Sequence, residues 1–409
     1  MPKAFRSIST TTTLTCCLRL ACWFLAGAAL AACGSYADPA LRPVEPASMQ
    51  ATVEKLAKDL LVPGAVVIVK TPRGNFSTTY GVRTYRGSEP SARDLHVRIG
   101  SVTKSLVGAI LQQVQEGRLA LTDRVSKYRS DVPNGTNITI AQLLDMSSGL
   151  FNYTETLELN KTLDDQPQKA WTQQELLAIA FANKPYFEPG RGFHYSNTNT
   201  VLLGLIAEQI DGGKPLANVL HDRVFAPLGL KRTLLPAISA STLPSPNARG
   251  YMYGSNVLTM GSPPAVPPDM QAAARAGTLA PVDETDANPS WAWAAGAGIS
   301  TPDEVVTLVR ALVNGNLLGP ELQAQRLASV KPLDPTNPGS AGYGLALAKF
   351  GNLYGHTGEL PGYNTFAGHD PVRDVTVVVS TNLGPAADGR APATTIAAAL
   401  IGAIYAPTP

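Results

Sequence analysis

Ser101-Val102-Thr103-Lys104 sets a hydroxyl and an amine three residues apart at the start of an apolar helical stretch. On a helix that spacing puts both side chains on one face, about one turn apart, with the amine within reach of the hydroxyl. A serine hydroxyl is a weak nucleophile until a neighbour takes its proton, and a desolvated lysine is one group that can take it. Downstream, Tyr195-Ser196-Asn197 supplies a phenol of ordinary pKa ~10 and a carboxamide. A cation ~4 Å away at an effective dielectric of ~20 is worth roughly 4 kcal/mol, about three pKa units. Lys104 is therefore expected to draw Tyr195 toward a usable base. Asn197 is expected to donate its amide to a substrate carbonyl and to hold Lys104 through its oxygen. His356-Thr357-Gly358, at the end of an apolar segment, adds a hydroxyl for a substrate carboxylate or carbonyl and a glycine beside which a substrate backbone can lie. Each motif alone has a plain structural reading: an N-cap serine with an exposed lysine, a turn, a histidine at a strand end.

In this order the three motifs resemble those of the penicillin-recognising serine hydrolases, in the branch of class C β-lactamases and D-alanyl-D-alanine carboxypeptidases. The resemblance implies that Ser101, Lys104 and Tyr195 are catalytic and that Asn197, His356, Thr357, Gly358 and Glu359 bind substrate. It further implies an oxyanion hole from the backbone N–H groups of Ser101 and Glu359. His356 stands where most class C enzymes have lysine, as in carboxypeptidase and esterase members. Further segments carry the likeness: Leu143-Leu144-Asp145-Met146-Ser147-Ser148-Gly149-Leu150, Phe225-Ala226-Pro227-Leu228-Gly229-Leu230 and Ala295-Gly296-Ala297-Gly298-Ile299-Ser300. Tyr343-Gly344-Leu345-Ala346-Leu347 is followed by Ala348 and Lys349 rather than by the arginine that helps carboxypeptidase members bind a terminal carboxylate. The implied substrates are a D-amino-acid peptide, a β-lactam or an ester. No cofactor is implied, and the five histidines show no metal-ligand spacing.

The elements that must position these residues read as strands at both ends of the chain and helices between. A helix over Ala47–Leu61 precedes a hairpin of Gly64–Lys70 with Asn75–Gly81, and one helix is expected from Ser101 to Glu116. Helices follow over Ile140–Met146, Thr172–Ala182, Thr198–Gln209 and Leu216–Phe225. Strands return over Gly342–Lys349, Asn352–His356, Tyr363–His369 and Val375–Thr381, with a last helix over Ala393–Tyr405. The fold class is α+β, β-lactamase/transpeptidase-like: an antiparallel sheet flanked by helices (about 47–118 and 291–409) plus an all-helical lobe (about 119–290). The aperiodic stretch 236–289, rich in Pro, Gly, Ser and Ala, is too long for an ordinary connection; it is either disordered or a lid beside a site.

Residues 1–32 read as an export signal: Lys3, Arg6 and Arg19 precede an apolar run too short to span a bilayer. Leu30-Ala31-Ala32-Cys33 resembles a lipoprotein box, which implies acylation of Cys33, a linker to residue 46 and a membrane anchor facing the extracytoplasmic space. Removing 1–32 takes the formal net charge from +2 to −1, and there is no dense basic run, so nucleic acid is not an expected partner. Cys16, Cys17, Cys22 and Cys33 are the only cysteines, so no disulfide staples the body and its core must carry the fold.

Overall fold

Ala65-Val66-Val67-Ile68-Val69 is a continuous run of apolar, mostly β-branched residues, and a strand so composed needs cover on both faces. In the computed structural model, which describes residues 40–337 and 340–406, that run lies in β1 (Gly64–Thr71) of an eight-stranded antiparallel sheet. The other strands are β2 (Gly74–Gly81), β3 (Lys331–Pro332), β4 (Gly342–Gly344), β5 (Leu347–Phe350), β6 (Leu353–Leu360), β7 (Tyr363–Asp370) and β8 (Val375–Thr381). Their order is β2-β1-β8-β7-β6-β5-β4-β3, so the two ends of the chain meet at the β1–β8 pair. Seven helices matter for the site: α1 (Pro46–Asp59), α2 (Val102–Val107), α3 (Ile110–Gln115), α4 (Asn197–Ile210), α5 (Pro302–Asn314), α6 (Pro320–Ala328) and α7 (Pro392–Ile404).

The pleat sorts alternate residues into two cores. Val67, Val69, Val377 and Val379 face α1 and α7, packing with Met49, Val53, Ile396 and Leu400. Val66, Ile68 and Val378 face the other way, into a larger core with Leu106 of α2, Val309 of α5 and Val201, Leu202 and Ile206 of α4. Each such side chain contributes roughly 1.5–3 kcal/mol on burial, so both faces hold the sheet without a disulfide. Among the described residues no helix is long and apolar enough to cross a membrane. Residues 1–39, including Cys33 and the expected signal, lie outside the described residues.

Three elements differ from their sequence-based expectation, each for a local reason. The helix expected over Ser101–Glu116 is two short helices, because Gly108 and Ala109 tighten into i→i+3 bonds: the Ala109 amide donates to Leu106 O and the Leu111 amide to Gly108 O. The buried Arg326 guanidinium lies against this break, 3.0 Å from where a Cβ on Gly108 would sit. The strand expected over Gly342–Lys349 is split into β4 and β5 by Ala346, whose φ is +49°; Arg326 donates to the carbonyls of Leu345 and Ala346 there. The strand expected to stop at His356 runs on to Leu360, so His356-Thr357-Gly358 is interior to β6 rather than at its end.

The stretch 236–289 is built into the fold beside the site. It carries a helix, Pro268–Arg275, and a two-stranded ribbon of Tyr251–Met252 with Val282–Asp283. Buried Arg98 donates to Ser241 O, Thr285 O and Ala287 O, and the Tyr363 hydroxyl donates to Ala248 O. Composition hid this order because the residues that hold the segment, Leu243, Tyr253 and Val266 in the cores and the polar contacts above, fall at no regular spacing.

Candidate active site

Ser101 sits at the first turn of α2, on a backbone pressed against β6. Gly100 has φ +51°, and a Cβ there would lie 2.4 Å from the Glu359 amide nitrogen. A Cβ on Gly358 would lie 1.9 Å from Ile99 O and 3.0 Å from the Ser101 amide nitrogen. Gly358, expected to make room for a substrate backbone, thus makes room for the turn that carries Ser101. The same seam brings the Ser101 and Glu359 amides to one place.

The Ser101 side chain makes no capping hydrogen bond. Its Oγ accepts from Lys104 Nζ at 3.0 Å, and the same Nζ donates to Ala295 O at 2.6 Å. Lys104 is 1 % exposed, and no carboxylate among the described residues pairs with it. Burial without a counter-charge holds its amine well below the usual lysine range. The apolar α2 surroundings made that burial legible. The expected hold by Asn197 is absent: Asn197 Nδ2 donates to Thr154 Oγ1 at 3.1 Å, and its backbone amide to Asn152 Oδ1 at 3.1 Å.

Tyr195 is partly buried, with Lys104 Nζ 4.8 Å from its ring centroid, and its phenol hydrogen-bonds Ser101. Burial pushes that phenol above its ordinary range, against a smaller opposing effect of the Ser101 bond. The expected lowering by a lysine cation therefore does not appear, because one desolvating cleft disfavours the charged form of both groups. His356 is buried; burial, and next the nearby Lys104, lower it to about 3, so its ring is neutral. His356 Nδ1 lies 2.6 Å from Thr357 O and Nε2 3.2 Å from the Tyr343 hydroxyl. The carbonyl can only accept, so Nδ1 carries the proton and Nε2 accepts from Tyr343. The Tyr343 ring meets Tyr195 and His356 edge-on, at 5.9 and 5.6 Å between centroids.

Sequence reasoning treated Tyr343 and Ala295 only as markers of the fold and passed over Asn152. Tyr343 orients His356, Ala295 O anchors Lys104, and Asn152 anchors Asn197. A backbone carbonyl leaves no signal in residue identity, and Phe151-Asn152-Tyr153 carries none either. Thr357 is partly exposed, and Glu359 is exposed with its Oε2 accepting from Asn364 Nδ2 at 2.9 Å.

Two clefts flank this cluster. One, of about 310 Å³, is lined by Thr154, Glu155, Trp291 and Glu359 and by Met252 and Met260 from the 236–289 stretch. The other, of about 630 Å³, opens beside Tyr343 and is lined by Arg191, Phe193 and Lys331. Together the geometry holds a hydroxyl against a buried amine, two amides on one seam and a phenol whose neutral form burial favours. Among the described residues no group of side chains could hold a metal ion.

The family model described as Beta-lactamase matches residues 49–401. Protein flp of Staphylococcus aureus (strain MW2) is 32% identical over 186 residues, covering 42% of this chain and 34% of that protein. A protein of Escherichia coli (strain K12) named putative D-alanyl-D-alanine carboxypeptidase is 26% identical over 299 residues, covering 67% of this chain and 65% of that protein. The chain thus spans about a third of the length of the first curated relatives it matches. Among solved structures, a D-stereospecific amidohydrolase from Streptomyces sp. superposes with TM-score 0.72 at 28% identity, covering 87% of this chain and 98% of that one.

Proposed function

Because this chain belongs to the beta-lactamase family of serine hydrolases, we propose that it cleaves amide or ester bonds through an acyl intermediate on Ser101, with D-amino-acid peptides as its substrate class. The observation that carries the reading is the 3.0 Å approach of a fully buried, unpaired Lys104 amine to the Ser101 hydroxyl. A neutral amine there takes the Ser101 proton as Oγ adds to the substrate carbonyl. The Ser101 and Glu359 N–H groups receive the oxyanion. The neutral Tyr195 phenol then gives its proton to the departing nitrogen or oxygen, and the Lys104 ammonium returns one to Tyr195. Water reverses the sequence: its proton passes to the Lys104–Tyr195 pair, its oxygen adds to the acyl carbon, and Ser101 Oγ leaves reprotonated.

The D-configured substrate class is supported by what the Escherichia coli and Streptomyces proteins are called. The test is single-turnover and steady-state kinetics on a D-Ala-D-Ala peptide, a cephalosporin and a short-chain ester side by side. Fastest turnover of the peptide supports the reading. Turnover of the ester alone would leave a promiscuous esterase, and binding without turnover a wall-binding protein.

The chain's Leu30-Ala31-Ala32-Cys33 supports a second part of the proposal, lipid anchoring through Cys33 on the extracytoplasmic side of a cell or outer membrane. Cys33→Ala is expected to move the protein to the soluble fraction; continued membrane association would remove this part.

A further inference from the structure

Arg326, on α6, is 1 % exposed, and no carboxylate among the described residues pairs with it. Burial lowers its pKa to about 10, so at neutral pH the fold holds an unpaired cation in its interior. A charge buried without a counter-charge opposes folding unless its hydrogen bonds compensate, and here they close one turn. Leu345 and Ala346 form the two-residue connection between β4 and β5, and all four of their backbone polar groups are bonded inside the protein. The Leu345 amide donates to Ser329 Oγ at 2.9 Å and the Ala346 amide to Leu144 O at 3.0 Å. Both carbonyls are met by Arg326, which donates from Nε to Leu345 O and from Nη2 to Ala346 O, each at 3.1 Å. Ala346 needs that support, because at φ +49° it lies in the left-handed region, where a side chain crowds the backbone. An apolar side chain in place of Arg326 would leave both carbonyls without a donor.

The turn stands between two parts of the site. Tyr343, two residues before Leu345, reaches His356 with its hydroxyl and meets the Tyr195 ring edge-on. On its other side the guanidinium meets the end of α2: a Cβ on Gly108 would lie 3.0 Å from Nη2, and the Gly108 amide donates to Lys104 O at 3.2 Å. One buried group therefore touches both the turn that follows Tyr343 and the helix that carries Ser101 and Lys104. We propose that Arg326 is a positioning residue for the reaction: its guanidinium holds Ala346 in the left-handed turn and registers that turn against α2, which fixes Tyr343, and with it Tyr195 and His356, opposite the Ser101–Lys104 pair. The role goes beyond the function proposed above and rests on it, since the pair it serves is the acylating one. Arg326 itself reaches no reacting atom and acts through the backbone of the turn.

The test is the rate at which a fluorophosphonate labels Ser101, read by intact mass as a maximal rate and a half-saturating reagent concentration, with the melting temperature of each protein measured alongside. Arg326→Met is expected to lower the maximal rate roughly ten- to a hundredfold, the scale of a small misplacement of catalytic groups, with the half-saturating concentration little changed. Ala346→Gly alone is expected to label like wild type. Placed in the Arg326→Met background it is expected to restore most of the rate, because glycine holds a left-handed turn without the guanidinium. A residue that only filled the core would give no such rescue, and the added glycine would then bring a second loss. Should Arg326→Met not fold, Arg326→Lys, which keeps the charge but not the fork of donors, takes its place in the same comparison. A folded Arg326 variant that labels at the wild-type rate, or a loss that Ala346→Gly does not relieve, would overturn the positioning role. Failure of the wild-type protein to label would instead refute the acyl-serine reading on which it rests.

Discussion

Gly358 of β6 and Ile99 of the turn before α2 are in such close contact that a Cβ on Gly358 would lie 1.9 Å from the Ile99 carbonyl oxygen. The contact packs the sheet against the turn that carries Ser101, so β6 has no room for a side chain at 358 unless that turn is displaced. Gly358→Ala is therefore expected to cost about 1–3 kcal/mol of stability, as overpacking in a close-packed interior does. It is also expected to abolish measurable acylation, because the Ser101 and Glu359 amides part. Chemical denaturation and acyl-enzyme formation check the two parts; a variant of wild-type stability and activity would mean that the seam is soft.

Burial sets the pH dependence. Lys104 is held well below the usual lysine range by desolvation, and its neutral form is the proposed base, so kcat/KM is expected to rise with pH through a limb below 10.5; Glu359, raised to about 7 by desolvation, adds a titration of its own beside the site. Burial raises Tyr195, whose neutral form is the proposed acid, so no falling limb from it is expected below pH 10. His356, lowered to about 3, adds no limb near neutrality. A bell with a falling limb between pH 7 and 9 would indicate a different acid.

The same desolvation opposes folding. The unfolded chain holds a proton at Lys104 more tightly than the folded one, so the cost is present at neutral pH and fades as pH rises toward 10.5. Lys104→Met is accordingly expected to be inactive yet to melt on the order of 2 °C higher or more at pH 7. A lower melting temperature would show that the bonds to Ala295 and Ser101 outweigh the burial cost.

Tyr343→Phe keeps the ring against Tyr195 and removes the donor to His356 Nε2. Loss of one hydrogen bond of about 0.5–1.5 kcal/mol predicts a fall in kcat/KM of roughly two- to tenfold. Unchanged kinetics would mean that His356 is oriented by Thr357 O alone.

The legibility of this molecule in its sequence divides along physical lines. Ser101, Lys104 and the burial of that lysine could be read because helical spacing and an apolar neighbourhood are local properties of the chain. Val375–Thr381 matches the strand read from its composition, since a β-branched run buried on both faces has no competing structure. The sense of the Tyr195 shift could not be read, because it is set by burial of the phenol in a cleft that disfavours the charged form of Lys104 as well. Arg326 lies against both breaks, at Gly108 and at Ala346, although it is remote in sequence from the first and on a different element from the second. Asn152, Ala295 and Tyr343 act through contacts that exist only once the fold has formed.

The central claim, that Ser101 is the acylated nucleophile, is tested most directly by intact-mass spectrometry of the protein treated with a penicillin or a fluorophosphonate, followed by peptide mapping. The expected result is one adduct, on Ser101, absent from Ser101→Ala and strongly slowed in Lys104→Ala. An adduct that persists unchanged in Ser101→Ala would contradict it.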